Sequence, residues 1–297
     1  MLRIAGGTMA MLILRDAAVR PLLKMRERAK PMSNQAAARP ASTILLLRDG
    51  LQGEIEIFMM VRHHEIEFSS GALVFPGGSV DASDRDIIAR PELYAGGEGC
   101  NADALSFRIA AIRETFEESG ILLARPRGST SLVDAKRAAE IAGRHRAALA
   151  ERKTTFLDVL TESDMALALD ELVPYARWIT PEAMPKRYDT WFFLAAAPPD
   201  QLGAHDGRES TDSLWLSARE AVAGGESGRF KLPFPTTRNL IKLGKQLSVK
   251  AAIEDAKKST VVTVMPELMR LNGGRQLRIP REAGYDGELF EMRSADR

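Results

Sequence analysis

Arg113-Glu114-Thr115-Phe116-Glu117-Glu118-Ser119-Gly120-Ile121 is the stretch on which the reading of this chain turns. In a helix, Glu114, Glu117 and Glu118 stand at i, i+3 and i+4, which puts their carboxylates on one face within reach of a common point. Like charges so placed repel. A hard divalent cation such as Mg²⁺ or Mn²⁺, which prefers carboxylate oxygen, relieves that repulsion. Arg113, four residues before Glu117, is placed to hold one carboxylate, and Gly120 is placed to end the helix in a left-handed conformation.

A bare E-x-x-E-E is ordinarily a solvated helix face. The nine residues together fit a more specific pattern, R-E-u-x-E-E-x-G-u with u apolar or, at Thr115, small. That pattern resembles the core of the Nudix box, the signature of hydrolases that cleave a diphosphate linked to another group. The upstream half of the box departs from the family. Counted back without a gap, the box glutamate position falls on Leu105, which cannot serve. The better anchor is Val74-Phe75-Pro76-Gly77-Gly78. Five residues, Ser79 to Ser83, separate Gly78 from Asp84, an acid where the family has Glu, with Asp81 a second acid nearby. On this reading the box is split by an insertion over residues 87–105, loop-like in composition (Pro91, Gly96, Gly97, Gly99). Segment 87–105 is expected to loop out and return Asp84 to the box helix.

The resemblance implies a fold, a cofactor and a set of roles. The fold is α/β, a Nudix-type α/β/α sandwich with a mixed sheet and a helical insertion. The cofactor is Mg²⁺ or Mn²⁺, held by Glu114, Glu117, Glu118 and the backbone carbonyl of Gly78. Glu117, Glu118, Arg113 and Glu209 are the candidate catalytic residues, with Glu209, just before a short strand carrying Trp215, the candidate base. Arg62, Gly77 and Arg187 are candidate substrate contacts. The segment Arg62, Gly71, Phe75-Pro76-Gly77-Gly78 keeps most of the spacing of coenzyme A diphosphatases, with Glu67 where that pattern has an inner arginine. The split box and Arg187-Tyr188-Asp189-Thr190-Trp191-Phe192-Phe193 are similar to a longer branch that includes a peroxisomal acyl-CoA diphosphatase. The implied reaction is hydrolysis of CoA or an acyl-CoA to 3′,5′-ADP and a phosphopantetheine. Other nucleoside diphosphate derivatives (ADP-ribose, a nucleotide sugar, a dinucleoside polyphosphate) remain alternatives, as does a non-catalytic nucleotide-binding regulator. The retained box glutamates speak against the regulator.

The chain has 297 residues, enough for a full core and a small subdomain, and is 45% apolar and 27% charged. A net charge of +1 gives no general case for a nucleic-acid or membrane partner. A single cysteine, Cys100, excludes an internal disulfide framework and fits a reducing, cytoplasmic setting. No apolar run approaches the roughly 20 residues of a spanning helix. Residues 1–38 read as a poorly ordered N-terminal extension, with seven Lys or Arg against two acids in the first 31.

The main domain is expected over 39–250, with a helical insertion at 131–173 and a C-terminal extension, 251–297, packed on it. Strands are expected at 41–48, 55–62, 72–75, 176–179, 190–195 and 213–216. Helices are expected at 106–118, 134–151, 155–172, 218–223 and 236–257.

Overall fold

Ile44, Leu45, Leu46 and Leu47 are each no more than 1% exposed, so the strand that carries them must be covered on both faces. Ile44 and Leu46 enter one apolar cluster, Leu45 and Leu47 another. The computed structural model describes residues 36–51, 53–62, 71–201, 203, 210–271 and 274–291. The expectations for residues 1–35 and for Glu209 lie outside the described residues.

In chain order the elements are β1 (Arg39–Asp49), β2 (Ile55–Arg62), β3 (Leu73–Val74), β4 (Gly77–Ser79), α1 (Asp84–Ile88), β5 (Tyr94–Ala95) and α2 (Ala102–Ser119). Then come β6 (Ala124–Pro126), α3 (Ala135–Ala150), α4 (Phe156–Ser163), β7 (Met165–Ala168), β8 (Val173–Ile179), β9 (Tyr188–Ala196) and β10 (Ser210–Ser217). The chain continues through α5 (Ala218–Glu226), α6 (Phe234–Leu243), α7 (Val249–Lys258), β11 (Thr263–Val264), β12 (Glu267–Leu271), β13 (Gly274–Arg278) and β14 (Leu289–Glu291).

The main sheet runs β10-β2-β1-β9-β8-β11, with β3 on β2 and β4 on β1. It is mixed: β1 is parallel to β9 and antiparallel to β2, and β8 is parallel to β11. Ile109, Ile112 and Phe116 of α2 pack on Ile44, Leu46, Phe58 and Met60, with α3 and α4 contributing to the same cluster. On the opposite face Ala221, Leu240, Leu243, Ala252 and Ala256 of α5, α6 and α7 cover Leu45, Leu47, Ile57 and Met59. The result is the three-layer α/β/α arrangement. Among the described residues no helix is long and apolar enough to cross a membrane.

Three expectations need correction. Segment 155–172 is α-helical only to Ser163, with a single 3₁₀ turn at Leu169–Glu171. Asp164, with φ 58° and ψ 45°, turns the chain left-handed, and β7 follows. β7 pairs antiparallel with β6 and parallel with β5, so the inserted region is mixed rather than helical. The stretch 87–105 is not a bare loop. It holds the end of α1, a 3₁₀ turn (Pro91–Leu93), β5 and the first turn of α2, which begins at Ala102 because Asn101 caps it, accepting from the Ala104 amide. Finally, a boundary at 250/251 falls inside α7. The segment beyond it adds β11 to the main sheet and places Ile279, Ala283 and Tyr285 in the core, so it is part of the domain.

That last point rests on a buried polar link. The Trp178 indole N–H donates to the Tyr285 hydroxyl (3.0 Å), which donates to Asn239 Oδ1 (2.7 Å). All three residues are buried. Tyr285→Phe strands a donor and an acceptor at once, and is expected to lower the unfolding free energy by about 2 kcal/mol, within the range for unsatisfied buried groups. Equilibrium urea unfolding of the two proteins measures it.

Candidate active site

Helix α2 runs from the Asn101 cap to Gly120, whose φ of 76° ends it. Within it Arg113 is 7% exposed, which a guanidinium tolerates only when its donors are matched. They are. Nε and Nη2 grip both oxygens of Asp84 at 2.7 and 3.0 Å, and Nη2 also donates to the Ser79 carbonyl at 2.9 Å. Nη1 donates to Glu114 Oε1 (2.9 Å) and Glu117 Oε1 (3.3 Å). Burial pulls the Arg113 pKa down, but the Asp84 hydrogen bonds and the charges of Glu114, Asp84 and Glu117 outweigh it and raise it, so the group stays cationic.

Asp84 is fully buried and also accepts from the Asp81 amide at 2.7 Å. The structure therefore brings Asp84 against the box helix despite the intervening segment. Asp81 has a different task. Its carboxylate accepts from the Ser83 amide and hydroxyl, both at 2.9 Å, bonds that hold its pKa below the usual carboxylate value, and it shapes the turn into α1.

The glycine turn packs directly on α2. Gly77 and Gly78 pair antiparallel with Thr43 and Ser42 of β1. A Cβ on Gly78 would lie 2.5 Å from the Glu114 carboxylate, and a Cβ on Gly77 would lie 2.3 Å from the Ser42 carbonyl oxygen, so neither position accepts a side chain. The Gly77 amide donates to Glu118 Oε2 at 2.8 Å. Glycine is thus required because backbone and carboxylate share the same space.

The donor set fits a hard divalent cation in its chemistry: three carboxylates on one helix end and a backbone carbonyl beside them, all oxygen. Side-chain exposure rises from Glu118, buried, to Glu114 at 15% and Glu117 at 26%, so the cluster opens to solvent at Glu117. Among the described residues no three such side chains already converge as a finished cage. Arg113 and the Gly77 amide take up carboxylate oxygens that a cation would share.

Several expected site residues have partners of their own. Arg113, expected among the catalytic residues, is buried and donates to Asp84, Ser79, Glu114 and Glu117. Gly77, expected to contact substrate, gives its amide to Glu118. Arg187 donates to the carbonyls of Thr180 (3.1 Å) and Ala36 (2.9 Å), bracing the β8–β9 connection. Arg62 stands half-buried at the end of β2, its amide bonded to the Ala72 carbonyl at 2.9 Å. One contact had no sequence signal: Arg146 of α3 donates to the Glu117 and Glu118 carbonyls. It sits in an Ala- and Arg-rich helix where nothing separates it from its neighbours.

Asp84→Asn tests the pair that closes the split box. It keeps the shape but removes the charge facing Arg113. The expected loss of stability is roughly 3 kcal/mol, the low end for breaking a buried ion pair, because Glu114 and Glu117 remain as partners. A loss of about 1 kcal/mol or less in chemical denaturation, the scale of an exposed pair, would mean that solvent reaches the contact.

A family model of the NUDT19 Nudix domain matches residues 95–243, half of the chain, including the glutamate helix and both strands β8 and β9. The acyl-coenzyme A diphosphatase NUDT19 of Xenopus laevis is 26% identical over 228 residues, covering 64% of this chain and 60% of the relative. The Gallus gallus protein of the same name is 28% identical over 298 residues, covering 82% and 78%. The putative nudix hydrolase 7 of Caenorhabditis elegans is 26% identical over 192 residues, covering 64% of this chain. The chain thus spans 60% of the frog relative's length and 56% of the nematode one's. Among solved structures, a NUDIX hydrolase from Alicyclobacillus acidocaldarius superposes with a TM-score of 0.59 at 27% identity, covering 73% of this chain and 96% of its own. With the box helix, the Gly77-Gly78 turn and the Asp84–Arg113 closure in place, the chain belongs to the NUDT19 Nudix domain family.

Proposed function

We propose that this chain is a metal-dependent Nudix hydrolase that cleaves the diphosphate of coenzyme A or an acyl-CoA, giving 3′,5′-ADP and a phosphopantetheine. The observation that carries the chemistry is the packing of Glu114 and Glu118 on the Gly77-Gly78 backbone, with Arg113 donating to Glu114 and Glu117. The substrate class is supported by the names of the frog and chicken relatives and by the spacing from Arg62 to Gly78.

In this reading Glu114, Glu117, Glu118 and the Gly78 carbonyl would hold Mg²⁺ or Mn²⁺. When bound, the ion supplies charge neutralisation at the diphosphate oxygens and acidifies water. The chain's own residues do the rest. Arg113 keeps Glu114 and Glu117 turned toward one place, and Asp84 keeps Arg113 from following them into solvent. Glu118, buried and bonded to the Gly77 amide, fixes the distance between helix and turn. Water adds hydroxide to one phosphorus, the bridging P–O bond breaks toward the other phosphate, and a base takes the proton. Glu209, or a box glutamate on the solvent side, is the proposed base, since a base must come within hydrogen-bond reach of the water.

Two measurements test the proposal. Glu117→Gln is expected to lower turnover about 100-fold or more, the scale of losing one charge-stabilising group, with the fold retained by circular dichroism. Near-normal turnover at saturating Mg²⁺ would remove Glu117 from the metal site. In a panel of free CoA, acyl-CoAs, ADP-ribose and a nucleotide sugar, chromatographic release of 3′,5′-ADP is expected with the highest kcat/KM on a CoA-type substrate. A tenfold preference for ADP-ribose or a nucleotide sugar, about 1.4 kcal/mol of transition-state binding, would sink the CoA reading and leave diphosphate hydrolysis standing.

A further inference from the structure

We infer that Arg146, carried on the inserted helix α3, is a positioning residue that fixes the metal-holding end of α2 and so sets the protein's affinity for its divalent cation. The inference rests on the metal reading above.

The last four carbonyls of an α-helix have no partner within the helix. In α2 the Phe116 carbonyl is taken by the Gly120 amide at 2.9 Å. The next two, of Glu117 and Glu118, are taken by one guanidinium. Arg146 Nε and Nη2 donate to the Glu117 carbonyl at 3.1 and 3.0 Å, and Nη2 donates to the Glu118 carbonyl at 2.9 Å. The guanidinium lies so close over the helix end that a Cβ on Gly120 would stand 3.2 Å from its Nη1. A cation at a helix C-terminus also suits the helix dipole.

These two carbonyls belong to two of the three glutamates of the carboxylate cluster. The backbone orientation of a helical residue fixes where its side chain starts. Glu117 and Glu118 are therefore each held at two points: at the carboxylate by Arg113 or the Gly77 amide, and at the backbone by Arg146. An arriving cation competes for the first kind of contact. It does not compete for the second, so Arg146 is the restraint that persists while the carboxylates turn to the metal.

Charge and geometry make opposite demands here. The positive charge of Arg146 disfavours a nearby cation, while its fork pre-positions the ligands. We expect geometry to win, because groups that orient metal ligands through hydrogen bonds typically matter at least about 10-fold in affinity, whereas the charge of the half-buried Arg146 is already engaged by the two carbonyls it caps. Replacing Arg146 separates the two. Arg146→Met removes charge and fork together. Arg146→Lys keeps the charge but, as a point donor, cannot reproduce the fork.

The experiment measures Mn²⁺ binding alone, by the electron paramagnetic resonance of free Mn²⁺ and by the rise in Tm on adding Mn²⁺, for wild type, Glu117→Gln and both Arg146 variants. Wild type should bind, and Glu117→Gln should bind weakly. Arg146→Met should weaken binding about 10-fold, with Arg146→Lys weakened as well. Wild-type or tighter binding in a folded Arg146→Met protein, even with a lowered metal-free Tm, would overturn the inference by reducing Arg146 to a structural contact. If Arg146→Met does not fold, Arg146→Lys decides, and wild-type affinity there overturns the inference. A wild-type protein that binds no Mn²⁺ overturns the metal reading itself and the inference with it.

Discussion

The buried pair between Arg113 and Asp84 is the constraint from which the rest of the site follows. A guanidinium cannot be left unmatched inside a protein, and a fully buried carboxylate cannot stay charged without donors. Each therefore dictates the other's position, and together they pull the glycine turn, the start of α1 and the middle of α2 to one point. Once Arg113 is held, its remaining nitrogen reaches Glu114 and Glu117. The orientation of the half-buried Glu114 and Glu117 carboxylates is thus inherited from a fully buried contact.

That contact also explains how the box accepts an interruption. The chain leaves at Asp84 and comes back at α2, and what lies between is free to build something else. It joins the second inserted region. β5 from the first pairs with β7 from the second, and β7 pairs with β6, in a small sheet of its own. Arg125 grips Asp170 through both oxygens at 2.6 and 3.0 Å and Glu171 at 2.7 Å, while Arg108 of α2 donates to the Leu172 carbonyl at 2.6 Å. The stretches on either side of α2 therefore share one small sheet, and the second of them holds α2 through Arg108 and, at its end, through Arg146.

What could be read from the sequence was local. Residues 55–62 form a largely apolar run that stops at Arg62, and the strand has those limits. Residues 134–151 show a helical stripe after an aspartate, and Asp134 is the cap, accepting from the Arg137 amide. The nine residues from Arg113 to Ile121 carried the cluster of glutamates, since spacing alone fixes which side chains share a helix face. What escaped was decided by partners elsewhere. Met165–Ala168 is a short apolar run, equally at home in a helix, and becomes a strand because β5 and β6 reach it from either side of α2. The donations of Arg187 to the carbonyls of Thr180 and Ala36 likewise depend on where those segments fold, which its own position in the sequence does not tell. Arg146 is invisible, being one of several arginines in its helix, distinguished only by what lies opposite.

The parallel pairing of β1 with β9 carries a consequence for how the chain is made. Residues 39–47 lie in register with residues 188–196, about half the sequence away, while β2 is at hand at once. At roughly 5–20 residues per second, the apolar run Ile44 to Leu47 leaves the ribosome on the order of ten seconds before the strand that completes its pairing. Throughout that interval one edge of this apolar strand offers unpaired amides and carbonyls to any neighbouring nascent chain. Yield of soluble protein should therefore depend on how fast the ribosome crosses the residues between β1 and β9 and on whether a holding chaperone shields that edge, more than on the final stability of the fold.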